Sequence, residues 1–251
     1  MLKKPKRRQR TGLPLGTKNM KTVGIIGGFG PESTAKFQLA IVDLCAAQKQ
    51  RTRPPILMWN TPIPMKIEED LILKGKSADK FLPFLLSAAK RLETAGSDFL
   101  VLPCNTLHVF INEIRSAVSI PVLNIVDETA ISLKENRVDK IGLIGTKLTI
   151  KSNMHTNKLR SLGIDTILPS KKVQKRIDMI IHNILNQKNI VKTKKELENI
   201  ATTFKARDID HILLACTDLQ LCFKNIPGIT IHDTMKVLAQ AAVREIIGDN
   251  H

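Results

Sequence analysis

Short apolar runs alternate with longer amphipathic stretches along most of the chain. Thr22–Ile26 is an apolar run closed by Gly27-Gly28-Phe29-Gly30. Pro31 follows, and proline's fixed φ and missing N–H suit the first turn of a helix. Phe37, Ala40, Ile41 and Leu44 then recur at helical spacing, which predicts a helix to about Gln50. Pro54–Asn60 reads as the next strand, with a polar loop from Asn60 to Lys66. Ala78–Ala95 is an amphipathic helix ended by Gly96. Phe99–Leu102 reads as a strand, a helix starts near Asn105, and Ile120–Ile125 reads as a strand through Pro121.

The pattern then restarts. Lys140–Ile144 is a strand, Gly145–Thr149 a loop, and a helix follows to about Leu162. Ile164–Leu168 is a strand, and Lys172–Leu185 and Lys194–Ala206 are helices. Ile212–Ala215 and Thr230–His232 are strands, and Ala239–Ile247 closes as a helix. Strands separated by helices imply βαβ units, parallel sheets and an α/β fold. Right-handed crossovers put all strand C-termini on one edge of each sheet, which is where open α/β sheets bind ligands. Asn60, Cys104, Thr146 and Cys216 all fall at predicted strand C-termini.

The two halves resemble each other. Lys21-Thr22-Val23-Gly24-Ile25-Ile26-Gly27 is echoed by Lys140-Ile141-Gly142-Leu143-Ile144-Gly145. Likewise Leu100-Val101-Leu102-Pro103-Cys104-Asn105-Thr106 is echoed by Ile212-Leu213-Leu214-Ala215-Cys216-Thr217-Asp218. A lone cysteine after a strand reads as a buried core thiol. The same placement in both halves turns the reading toward a pair of thiols at a shared cleft. Ahead of a helix, Cys104 is expected to feel the positive end of the helix dipole, which favours thiolate. Asn105, Thr106 and Thr217 are donors for a carboxylate.

Other chemistries fit less well. Cys104 and His108 stand four apart and could share a metal, but no C-x-x-C pair supplies the remaining ligands. No metal is therefore expected, and His108 reads as orienting a loop or tuning Cys104. Gly27-Gly28-Phe29-Gly30 matches neither G-x-G-x-x-G nor a Walker A sequence. Its glycines suit close approach of backbone to a small substrate at Phe29.

Composition narrows the class further. The formal net charge is +16, but residues 1–21 carry eight lysines and arginines and no acid. That segment, 1–20, is expected to be a disordered basic tail. Aromatic residues make up 4% of the chain and tyrosine is absent, which is poor for base stacking, so no nucleic-acid partner is expected. No apolar run reaches the length of a membrane span, and the basic start lacks an apolar signal segment. A cytoplasmic protein with four reduced cysteines and no membrane partner is expected.

Several spaced motifs match one family. Val23-Gly24-Ile25-Ile26-Gly27-Gly28-Phe29-Gly30-Pro31 resembles the opening of the aspartate/glutamate racemase superfamily, where Met is usual at position 29. Pro103-Cys104-Asn105-Thr106-Leu107-His108 resembles its first catalytic motif. Ala215-Cys216-Thr217-Asp218 resembles its second, where Gly and Glu are usual at 215 and 218. Gly142–Thr146 and His232-Asp233-Thr234 are similar to further landmarks. The aspartate racemases are the most similar branch.

The resemblance implies two similar flavodoxin-like lobes related by a pseudo-twofold axis, with the active site between them, usually in a homodimer. The implied lobes are residues 21–125 plus 230–251, and 126–229. It implies a cofactor-free amino-acid racemase, first for aspartate, with glutamate racemisation, broad specificity or a related cysteine-dependent isomerase or decarboxylase as alternatives. Cys104 and Cys216 become the two catalytic groups, one a thiolate base and the other a thiol acid. Phe29, Lys66, Asn105, Thr106, Thr146 and Thr217 become substrate contacts, and His108 and Asp218 supporting residues. Two positions depart from the aspartate pattern: Lys66 stands where that branch has arginine, and neutral Asn186 where it has a cation. Lysine keeps the charge but lacks the bidentate fork.

Overall fold

The computed structural model describes residues 20–50, 52–223 and 226–248. The expected basic tail lies outside the described residues, Met20 excepted. In chain order the strands are β1 (Val23–Gly27), β2 (Ile56–Asn60), β3 (Phe99–Val101), β4 (Lys140–Gly145), β5 (Asp165–Ile167), β6 (His211–Ala215) and β7 (Thr230–Asp233). The α-helices are α1 (Pro31–Ala47), α2 (Met65–Glu69), α3 (Leu82–Ala95), α4 (Ile111–Ala117) and α5 (Ile125–Glu135) in the first half. The second half has α6 (Lys147–Lys151), α7 (Met154–Ser161), α8 (Lys171–Leu185), α9 (Ile190–Lys205) and α10 (Thr234–Ile247).

Two parallel sheets result, ordered β2-β1-β3 and β5-β4-β6-β7. Their middle strands β1 and β4 are almost wholly buried, as continuous apolar runs between two helical layers must be. The α/β fold with two parallel sheets is thus present. The equivalent of β7 in the first sheet is a single bridge, Leu100 to Val122, rather than the expected strand at Ile120–Ile125. Pro121 has no N–H for a ladder, and Asn124 caps α5 by accepting from Val126 N at 2.9 Å, so helix takes over at once.

The two halves exchange their last helices. α10 packs Met235, Leu238, Ala242 and Ile246 against Val23, Ile25 and Phe37 of the first lobe. α5 packs Ala130 and Leu133 against Ile141, Leu143 and Leu213 of the second. β7 pairs with β6 in the second sheet, while α10 packs with β1 and α1 of the first.

Three local expectations also change. Gly145–Thr149 is not all loop: Thr146 accepts from Thr149 N and starts α6. The helix after Cys104 begins as a 3₁₀ turn over Thr106–Phe110 before α4. Met65–Glu69 is helical and runs into a π-helical turn, Asp70–Lys74, which packs against α6 and α8 of the second lobe. Among the described residues no helix is long and apolar enough to cross a membrane.

Candidate active site between the lobes

The loops after β1, β3, β4 and β6 meet at one cleft. Hydrogen bonds across the lobes tie them together. Thr106 Oγ1 lies 3.0 Å from Thr146 Oγ1 and 3.2 Å from Thr149 Oγ1. Thr217 Oγ1 donates to Pro103 O at 3.1 Å. Ser33 Oγ, on α1, donates to Asp218 Oδ1 across the same divide. The cleft opens between these loops. Its lining includes Phe29, Cys104, Asn105, Thr106, Thr146, Cys216, Thr217 and Asp218, so eight of the ten residues expected at the site come together.

The other two do not line it. Lys66 is exposed on α2. Glu68, one helical half-turn further on, takes the wall position instead, together with Leu71 and Ile72 of the π-helical turn. His108 is buried behind Cys104. Its Nδ1 lies 2.7 Å from Cys104 O, and its Nε2 accepts from Ile125 N at 3.1 Å. Only a neutral ring protonated at Nδ1 satisfies both partners. Burial holds its pKa down to about 4, consistent with that tautomer. His108 therefore fixes the Cys104 backbone to the start of α5, with neither nitrogen free for the thiol or a metal.

Both thiols are pushed toward the protonated form. Burial pushes Cys104 up to about 12, the carboxyls of Asp218 and Glu68 add to this, and the N–H groups of Leu107 and Thr106 pull the other way. The helix-end effect expected from sequence is present, and burial outweighs it. Cys216 is pushed well up by burial and then by Asp218, whose Oδ2 accepts from its Sγ at 3.8 Å. Burial also lifts Asp218 to about 6, against the hydrogen bond from Ser33. Glu68 rises to about 7, through burial first and then the charges of Asp218, Glu32 and Glu69.

Asn105 is held from two sides. Its Oδ1 accepts from His155 Nε2 at 2.8 Å, and its Nδ2 donates to Thr234 Oγ1 at 2.8 Å. Thr234 in turn donates to Leu214 O at 2.8 Å. One Nδ2–H of Asn105 is left over. His155 has no sequence signal, since a lone histidine on α7 looks like any other. Ser33 is equally silent, and Glu68 lies in a stretch with no clear periodicity.

This arrangement matches a known family. The Asp/Glu/hydantoin racemase family model covers residues 26–242. The chain belongs to that family. It is an amino-acid racemase of the kind that works without pyridoxal phosphate. The broad specificity amino-acid racemase RacX of Bacillus subtilis is 29% identical over 228 residues, which is 88% of this chain and 96% of that protein. The aspartate racemase of Picrophilus torridus superposes with a TM-score of 0.77 at 28% identity, over 90% of this chain and 94% of that one. A glutamate racemase from Aquifex pyrophilus is 29% identical over 153 residues, 60% of this chain and 58% of its own. The racemase described here has the two-lobe fold of these structures.

Proposed function

We propose that the racemase interconverts the enantiomers of an α-amino acid through a thiolate/thiol pair, Cys104 and Cys216. The observation that carries this reading is that the two thiols, at equivalent strand ends of the two halves, line one cleft. One thiolate takes the α-proton: its S–H bond forms as the C–H bond breaks, and the electron pair spreads into the substrate carboxylate. The other thiol then delivers its proton to the opposite face of the same carbon. Bases on separate lobes are what attack on both faces of one carbon needs.

The carbanion is stabilised by donors that are already in place. The remaining Nδ2–H of Asn105, the hydroxyl of Thr146 and the backbone N–H groups of the 3₁₀ turn after Cys104 are candidates for the substrate carboxylate. Bringing the substrate ammonium beside Asp218 offsets the charge that raises both thiols, so binding favours the thiolate. The side-chain range reads as broader than aspartate, because among the described residues no Lys or Arg lines the cleft to pair a second carboxylate. The broad-specificity relative from B. subtilis supports that range.

The test is chiral analysis of amino acids incubated with the purified protein, alongside Cys104→Ser and Cys216→Ser. Racemisation by the unaltered chain and its loss, by at least about a thousandfold, in each variant is expected for groups that act as a unit. Full racemisation by either variant would overturn the pairing.

A further inference from the structure

Building on the racemase reading, we infer that Glu68 selects substrates whose side chain ends in a cation, such as the amino acids with a terminal ammonium or guanidinium. The inference starts from the count of charges in the cleft. An α-amino acid brings one ammonium and one carboxylate to any such site. Among the described residues the cleft is lined by two carboxyl groups, Asp218 and Glu68, and by no lysine or arginine. Asp218 is held by Ser33 and lies against Cys216, next to the reacting carbon, which is where the α-ammonium comes. Among the described residues Glu68 has no hydrogen bond or salt bridge, although it is only partly exposed.

Its position fits a side-chain contact. Glu68 lines the cleft together with Leu71, Ile72 and Leu185. A second hollow shares Glu68, Ile72 and Leu185 with the cleft and is also lined by Glu69, His182 and Asn186. The two hollows adjoin at these three residues, with apolar Ile72 and Leu185 and the acids Glu68 and Glu69 along them. An extended aliphatic side chain follows the apolar residues, and its cationic end meets Glu68, with Glu69 beyond. A side-chain carboxylate in the same place would face like charge with no compensating cation. Burial and the neighbouring acids lift Glu68 toward neutrality, and a cationic side-chain end beside it would favour its charged form.

The experiment compares kcat/KM for L-lysine, L-arginine, L-alanine and L-aspartate in the unaltered protein, Glu68→Gln and Glu68→Lys. We expect the unaltered protein to favour lysine or arginine over aspartate by at least tenfold. Glu68→Gln should lower the ratio of lysine to alanine by tenfold or more, and Glu68→Lys should move preference toward aspartate. An equal fall on all four substrates in Glu68→Gln would overturn the inference, since Glu68 would then meet the common ammonium. A preference of the unaltered protein for aspartate would overturn it too, and would leave the racemase reading standing. No racemisation of any amino acid would remove the racemase reading, and this inference with it.

Discussion

The carboxylate of Asp218 fills the space beside Gly30, so that a Cβ on residue 30 would stand 2.5 Å from Asp218 Oδ1. Gly30 ends the turn after β1 in the first lobe, at φ 87°, and Asp218 follows β6 in the second. The glycine thus makes room for a carboxylate of the other lobe rather than for the substrate. Asp218 then reaches back to Cys216, so the closeness of the lobes sets how that thiol is held.

Gly30→Ala tests this coupling. The substitution strains a left-handed residue and displaces Asp218, at a cost of about 1–3 kcal/mol for the backbone alone. Thermal melting should fall, and racemisation should drop by at least tenfold. An alanine variant as active and as stable as the parent would show that the lobes adjust freely here.

Asp218→Asn should separate stability from activity. The native pKa of Asp218, about 6, lies above its ordinary value of 3.8. Between those values the native state holds a proton that the unfolded chain releases, so stability falls as pH rises through that window. The shift corresponds to roughly 3 kcal/mol lost above pH 6, as an order of magnitude. Asparagine removes this cost. Denaturant titrations should find the variant more stable than the parent at pH 8, with the advantage gone by pH 4, while racemisation falls.

His155 acts through Asn105 as a positioning residue. It is buried, and burial holds its pKa down to about 3, so it donates as a neutral ring throughout the working range. His155→Phe keeps bulk but removes the donor to Asn105 Oδ1. We expect a fall in kcat of about tenfold or more with the acid limb of the pH profile unmoved, and partial recovery in His155→Gln. A shift of that limb would mean that His155 itself exchanges protons with substrate.

His108 should not titrate near neutrality. Its ring proton resonances are predicted to stay fixed from pH 5 to 8, because both nitrogens are engaged and the ring is neutral. A midpoint near 6.5 would contradict its assignment as the brace between Cys104 and α5.

Periodicity carried much of the fold, and the repeated strand–cysteine pattern carried the centre of the site. Apolar runs marked β1, β4 and β6 because buried parallel strands are apolar on both faces. Two thiols were legible because duplication set them in the same local frame. Glu68, Ser33 and His155 were not legible, because each gains its role from a partner on another element. Glu68 reaches the cleft through a π-helical turn that no simple period describes. The placement of α5 and α10 came from the family resemblance and not from periodicity: an amphipathic helix shows which face it buries, and not which sheet covers that face.

The central claim is tested most directly by racemisation in D₂O, stopped at low conversion, with the enantiomers separated and weighed by mass spectrometry. If Cys104 and Cys216 serve opposite faces, the product enantiomer carries one deuterium from the second thiol, while the recovered starting enantiomer keeps its protium. Equal early deuteration of both enantiomers would contradict the account, because it would mean that a single base reaches both faces of the α-carbon.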